Sequence, residues 1–151
     1  MKIIIGSDHA AFKAKEELLE SFRMRGYEVM DAGTLSEDSC DYPDFAEKVA
    51  LAVRAHEESD PETTRGILLC GTGIGMSIAA NRFKGIRAAL CHSTETAKLS
   101  RAHNNSNILC MGARILDRKT LIEIAHMWIK TSFEGGRHAM RLDKIDRFEK
   151  E

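Results

Sequence analysis

Ile67-Leu68-Leu69-Cys70-Gly71-Thr72-Gly73-Ile74-Gly75 joins an apolar run to a glycine-rich turn, with a cysteine at the junction. The run has the length and apolarity of a buried strand. Residues 76–83 then offer Met76, Ile78, Ala79, Ala80 and Phe83 at roughly helical spacing, so the stretch reads as strand, loop, helix. Cys70 would stand at the carboxyl end of the strand and close to a helix amino terminus. Unpaired N–H groups and the helix dipole there favour negative charge, on a bound anion or on a thiolate. A structural explanation serves equally well at this point: glycines permit unusual backbone angles, and Cys70 is a small buried hydrophobe. Two nucleotide motifs are excluded, because Met76 stands where a dinucleotide fingerprint needs glycine and no Gly-Lys-Ser/Thr ending follows.

Outward from this stretch, strand and helix patterns alternate. Short apolar runs at 2–6, 28–32, 66–70, 86–91 and 107–111 read as strands, several of them β-branched. Helical patterns at 11–25, 45–56, 76–82 and 94–103 separate them, and two more, 118–131 and 137–148, close the chain. Strands alternating with helices imply right-handed crossovers and a parallel sheet covered on both faces. The expected fold is a single α/β domain over residues 1–151, a Rossmann-like three-layer α/β/α with a five-stranded parallel sheet. Ligands in such folds collect beyond the carboxyl ends of the strands.

Composition narrows the function classes. The 151 residues carry a formal net charge of −1, so no global field invites nucleic acid or an acidic membrane. No Pro/Gly/Ser-rich linker divides the chain, no apolar run reaches membrane-spanning length, and the opening residues are too short for a signal peptide; a cytoplasmic protein is expected. Cys40, Cys70, Cys91 and Cys110 form no C-x-x-C pair, against a zinc cluster or thioredoxin-type site, and are expected as free thiols. Cys91 and Cys110 fall in strand-like runs and are read as core. The helix bearing Leu121, Ile122, Ile124, Ala125, Trp128 and Ile129 is apolar over a wide arc, which fits a core helix or a partner surface.

Several loops carry polar side chains with two readings each. Ser7 or Asp8 can cap the following helix, which leaves His9 unexplained. Ser93 or Thr94 is a plausible cap beside His92, itself readable as a surface residue. His103, near a helix carboxyl end, is either a favourable partner for the dipole or a site residue. Arg114 follows the fifth strand. Arg137 and Arg141 are four apart on a helix, which brings both guanidinium groups to one face, as a phosphate clamp or as a solvated basic surface.

Ser7-Asp8-His9-Ala10, Asp41-Tyr42-Pro43-Asp44, Cys70 to Gly75, Ser100-Arg101-Ala102-His103-Asn104 and Gly135-Gly136-Arg137-His138 together resemble the type B ribose-5-phosphate isomerases, in order and nearly end to end. Galactose-6-phosphate isomerase subunits share much of this pattern. The resemblance implies interconversion of ribose 5-phosphate and ribulose 5-phosphate through an enediolate, in the non-oxidative pentose phosphate branch, with no cofactor and no metal. It implies Cys70 as the base, with Thr72 beside it bonding the thiolate or the sugar. Gly71, Thr72, Gly73, Ile74 and Gly75 supply backbone donors for the enediolate oxygen, and His103 is the ring-opening acid/base. Asn104 and Asp8 bind sugar hydroxyls, Tyr42 forms a wall or donor, and His9, Arg137 and Arg141, with Arg114, hold the phosphate. It further implies a homodimer or homotetramer with sites at the dimer interface. Ala11 stands where the family commonly has glycine, next to the sugar and phosphate groups, and Ser93 replaces a common aspartate; six-carbon substrates such as allose 6-phosphate or galactose 6-phosphate are therefore the alternative. The polar stretch 57–65 is somewhat long. Rivals of other classes are a non-catalytic phosphosugar-binding module, which needs no reactive cysteine, and a cysteine hydrolase or phosphatase, whose loop normally holds an arginine that 70–76 lacks.

Overall fold

Ile67, Leu68, Leu69 and Cys70 are all buried, and they lie at the centre of a parallel sheet whose two faces they feed in alternation. The structure, a computed structural model, describes residues 1–57 and 63–148; most of the polar stretch read at 57–65 lies outside them. The strands are β1 (Lys2–Ser7), β2 (Glu28–Asp31), β3 (Thr64–Cys70), β4 (Ala88–Leu90) and β5 (Ile108–Gly112), in the order β2-β1-β3-β5-β4, with every neighbour parallel. The helices are α1 (Phe12–Arg23), α2 (Tyr42–Glu57), α3 (Ile74–Ala80), α4 (Thr94–Asn104), α5 (Arg118–Lys130) and α6 (Arg137–Phe148), with a 3₁₀ turn, His9–Ala11, leading into α1.

Side chains alternate across a strand, so one strand supplies both cores. Ile3, Ile5, Ile67, Leu69, Leu109 and Met111 pack with α1, α4 and α5. Ile4, Leu68, Cys70, Ile108 and Cys110 pack with α2 and α3 on the other face. The apolar arc of α5 belongs to the first of these cores, with Trp128 wholly buried, so it is a core helix. Trp128 Nε1–H donates to Ser106 Oγ at 2.8 Å, and Ser106 Oγ–H donates to Ser100 Oγ at 3.0 Å, tying α5 to the last turn of α4. Cys91 and Cys110 are core as expected, and burial pushes both thiols up. All four cysteines are free.

Where boundaries differ from the sequence reading, local hydrogen bonds explain the shift. Residues 86–91 read as a strand, but Ile86 N–H donates to Phe83 O and Arg87 N–H to the Asn107 side chain, so only Ala88–Leu90 forms the strand. The helix read at 76–82 begins at Ile74, because Gly73 adopts φ +79° and starts it. No helix among the described residues is long and apolar enough to cross a membrane.

Candidate active site

The chain leaves β1 towards one side of the sheet and β3 towards the other, so a crevice opens between their carboxyl ends. Asp8 N–H donates to Leu69 O at 3.2 Å, which extends the pairing of β1 and β3 into this crevice. Asp8 is also the cap: its Oδ1 accepts from Ala10 N–H at 3.0 Å. Ser7 is not; its hydroxyl is buried without a hydrogen-bond partner among the described residues. His9 Nδ1 accepts from Cys40 N–H at 3.2 Å, which leaves the proton of the neutral ring on Nε2, free to donate outward.

Cys70 ends β3 and is 5% exposed. Its Sγ accepts from Gly73 N–H at 3.1 Å. Thr72 does not bond the sulfur; its Oγ1 accepts from Ile74 N–H at 3.3 Å, and the exposed hydroxyl keeps its proton to donate. The glycines of the loop meet distinct local demands. A Cβ on Gly73 would lie 2.6 Å from Leu90 Cδ1 at a φ that side chains avoid, and one on Gly75 would lie 2.7 Å from the Tyr42 ring. Tyr42 is thereby a wall against the loop. Gly71 is roomier, and the Arg114 side chain crosses it: Arg114 N–H donates to Gly71 O at 3.0 Å while its guanidinium stays exposed. Ala11, expected beside the sugar and phosphate groups, turns its methyl into the α1 core instead.

His103 and Asn104 occupy the opposite edge. They end α4, and the chain turns through Asn105, at φ 44°, into the start of β5. Ile108 pairs with Gly66 and Gly112 with Cys70, so four residues of strand, about 13 Å, separate the two levels. Arg137, His138 and Arg141 join His103 here: the two imidazoles stack with centroids 4.2 Å apart and planes 8° from parallel. Loss of water contact, then the positive charge of His103, Arg137 and Arg141, lowers the proton affinity of His138, with Glu134 opposing. Arg137 and Arg141 are exposed and form no ion pair among the described residues. A groove of about 500 Å³ follows this edge between α6 and Ile86, bordering Asn104 but not Cys70. Ser93 caps α4 with Thr96 as its reciprocal partner, and His92 is a surface residue.

One chain therefore gathers Asp8, His9, Tyr42, Cys70, Thr72 and Arg114 at the carboxyl edge, and His103, Asn104, Arg137 and Arg141 at the amino edge. The first set has a sulfur, a carboxylate, the His9 imidazole and the Arg114 guanidinium, with His103 on the far edge. The second has the imidazole and two unneutralised guanidinium groups but no base of that kind. Glu134, which sequence reasoning passed over, lies beside the Nε2 atoms of both stacked rings, at 3.7 Å from His103 and 3.8 Å from His138; His138 lay inside a recognised block without a role.

A family model described as Ribose/Galactose Isomerase matches residues 3–145. The chain is 44% identical over 148 residues to Ribose-5-phosphate isomerase B of Escherichia coli strain K12, covering 98% of this chain and 96% of that one. The structure of the Clostridium thermocellum ribose-5-phosphate isomerase B superposes with a TM-score of 0.93 at 49% identity, covering 99% of this chain and 98% of the other. That of the Mycoplasma genitalium enzyme with bound ribulose-5-phosphate gives 0.92 at 43% identity, covering 99% and 97%.

Proposed function

The chain belongs to the Ribose/Galactose Isomerase family, and from that premise we propose that it interconverts D-ribose 5-phosphate and D-ribulose 5-phosphate. The observation that carries the reading to residues is the Cys70 sulfur, set at the crevice between β1 and β3 with the Gly73 N–H already aimed at it. Cys70, as the thiolate, takes the proton from C2 of the open-chain aldose and returns it to C1. The charge that gathers on the substrate oxygen meanwhile faces backbone N–H donors of the 71–75 loop, each worth roughly 3 kcal/mol when well placed. Thr72 donates its hydroxyl to the sugar. Before that step His103 opens the furanose ring, accepting the anomeric hydroxyl proton and delivering one to the ring oxygen, a task suited to an imidazole, whose two nitrogens can accept and donate a proton.

Asp8 and Asn104 hold sugar hydroxyls and Tyr42 walls the site. The phosphate lies between the Nε2–H of His9 with Arg114 and the fork of Arg137 with Arg141. Since these groups lie on two edges of one sheet, each site takes the carboxyl edge of one subunit and the amino edge of a second copy, so the working unit is a homodimer or a pair of dimers. With its methyl buried in the core, Ala11 does not reach the sugar and gives no reason for a six-carbon preference. The relatives' chemistry supports a place in the non-oxidative pentose phosphate branch of the cytoplasm.

Two measurements test this. Purified protein offered ribose 5-phosphate, allose 6-phosphate and galactose 6-phosphate should form ketose fastest from the first; a six-carbon preference would overturn the substrate assignment. Inactive Cys70→Ala and His103→Ala chains, unfolded together and refolded as mixed dimers, should regain about a quarter of the wild-type activity, because one site in each mixed dimer is intact. No regain from mixed dimers would place both residues in one chain's site.

A further inference from the structure

Lys15 is wholly buried, and lysine side chains are almost never so placed unless paired. Its ammonium bonds Asp31 Oδ2 and lies 2.7 Å from Glu16 Oε1. Asp31 ends β2, and its other oxygen, Oδ1, accepts from Gly33 N–H at 2.9 Å. Gly33 has no room for a side chain: a Cβ there would stand 2.6 Å from Lys15 Cδ and 2.7 Å from Ser7 N. One buried cation thus fixes the turn that leaves β2 and presses it against the last residue of β1.

That turn opens a strap, residues 31–40, attached on both sides of Asp8 and His9. Ala32 N–H donates to Ile5 O at 2.8 Å and Thr34 N–H donates to Ser7 O at 3.0 Å, so the strap follows β1 past the end of β2. It swings outward through exposed Leu35, is braced by Ser36 Oγ–H donating to Asp38 Oδ2 at 2.9 Å, and is tied to α1 by the pairing of Glu37 with Lys13 at 3.0 Å. It returns at Cys40, whose N–H donates to His9 Nδ1 at 3.2 Å. Cys40 Sγ lies 3.8 Å from the same nitrogen, whose single lone pair the N–H already occupies. A neutral imidazole held in this way keeps its proton on Nε2 and cannot turn that donor away without losing the bond.

We propose that the strap, anchored by the Lys15–Asp31 pair, positions His9 for the phosphate of the substrate, which makes Lys15, Asp31 and the Cys40 N–H positioning groups for binding. The consequence for substrate rests on the phosphate role proposed above for His9; the hold on the ring does not.

The test compares three full-length variants: Cys40→Pro, which deletes the donor and leaves the buried pair intact, Lys15→Met, which cuts the anchor, and the two combined. Ketose formation from ribose 5-phosphate and calorimetric binding of inorganic phosphate are measured for each, with thermal melts to establish folding. In Cys40→Pro the KM and the phosphate Kd should both rise about 10-fold, the size expected for one hydrogen bond to an ion, while kcat falls by less. Adding Lys15→Met should raise them no further, because both substitutions act through one contact. A strap that served folding alone would lower kcat with the share of active protein and leave both constants unchanged. That result in folded Cys40→Pro would overturn the proposal, whether or not Lys15→Met folds, and so would effects that multiply in the double variant. His9→Ala separates this from the functional reading. Weakened phosphate binding there beside unchanged binding in Cys40→Pro defeats the strap alone, whereas unchanged binding in both defeats the phosphate role of His9 as well. Phosphate binding needs no turnover, so a protein without isomerase activity would still decide the matter.

Discussion

The two edges of the sheet are built on different principles. At the carboxyl edge, Cys70 is nearly sealed, its sulfur is engaged by Gly73 N–H, and the loop around it tolerates no side chain at Gly73 or Gly75 without a clash. At the amino edge, Arg137, Arg141 and Glu134 are exposed, and the guanidinium groups are left without ion partners among the described residues. A base that must meet one carbon atom needs positional accuracy, which packing supplies. Groups that draw in a phosphate need uncompensated charge, which packing would cost them. Under the roles proposed above neither edge is complete alone, and the division fits the proposal that a second copy brings one edge against the other.

The comparison breaks most sharply at the sulfur. Cys70→Ser should lower turnover about 10³-fold while leaving the fold intact, since general acid–base groups commonly contribute 10²–10⁴. Stopped assays of ketose formation set beside thermal melts would show this. A variant retaining more than a tenth of wild-type turnover would remove Cys70 from the role of base. Gly73→Ala strikes the same edge through its backbone: a methyl would be 2.6 Å from Leu90 Cδ1 and 2.8 Å from the Met111 carbonyl carbon, at φ +79°. Strain of that kind together with overpacking costs about 3 kcal/mol, or roughly 9 °C in Tm for a chain of this size. Activity should fall with it, because the N–H that meets the sulfur belongs to the same residue. A full-strength Tm in this variant would mean that the loop relaxes freely and that accuracy at the carboxyl edge comes from elsewhere.

How much of this was legible in the sequence depended on whether the meaning of a residue was local. The strands β1, β3 and β5 announced themselves because each is buried on both faces, so its apolar run is unbroken. Caps at Asp8 and Ser93 were likewise written in adjacent residues, whereas α3 was read two residues late because Gly73 at φ +79° starts it, and β4 was overread because Asn107, distant in sequence, captures the Arg87 N–H. The candidate residues were all visible, but their grouping was not. His103 follows a helix and precedes a strand, and in a parallel sheet that position belongs to the amino edge, opposite Cys70. The carboxyl-end rule gathers the loops after strands and cannot gather this one. Glu134 was invisible for a further reason: nothing marks an exposed glutamate until α4 and α6 come together and place two imidazoles beside it.

The comparison of edges is sharpened last by a histidine that belongs to neither. His126 on α5 lies against Phe22, with ring centroids 4.4 Å apart, its Nε2 meets Ser21 Oγ at 2.9 Å, and its Nδ1 is buried without a partner among the described residues. Burial, and then the positive charges of Arg25 and Lys130, lower its pKa to about 4. The unfolded chain, with an ordinary histidine value near ~6.5, therefore binds this proton more readily than the folded chain does. The stability contributed by the neutral ring is complete above that pH, declines as the pH falls towards about 4, and then levels off. Partial exposure limits the loss to no more than about 2 kcal/mol, about 6 °C in Tm. His126→Gln should flatten the Tm profile across this window while leaving turnover at neutral pH as it was. Activity that declined in acid at a higher pH than the Tm, in wild type and variant alike, would then report the site edges themselves. If His126→Gln instead moved the activity profile, the α1/α5 layer would be coupled to the site, and the accuracy of the edges would depend on the core between them.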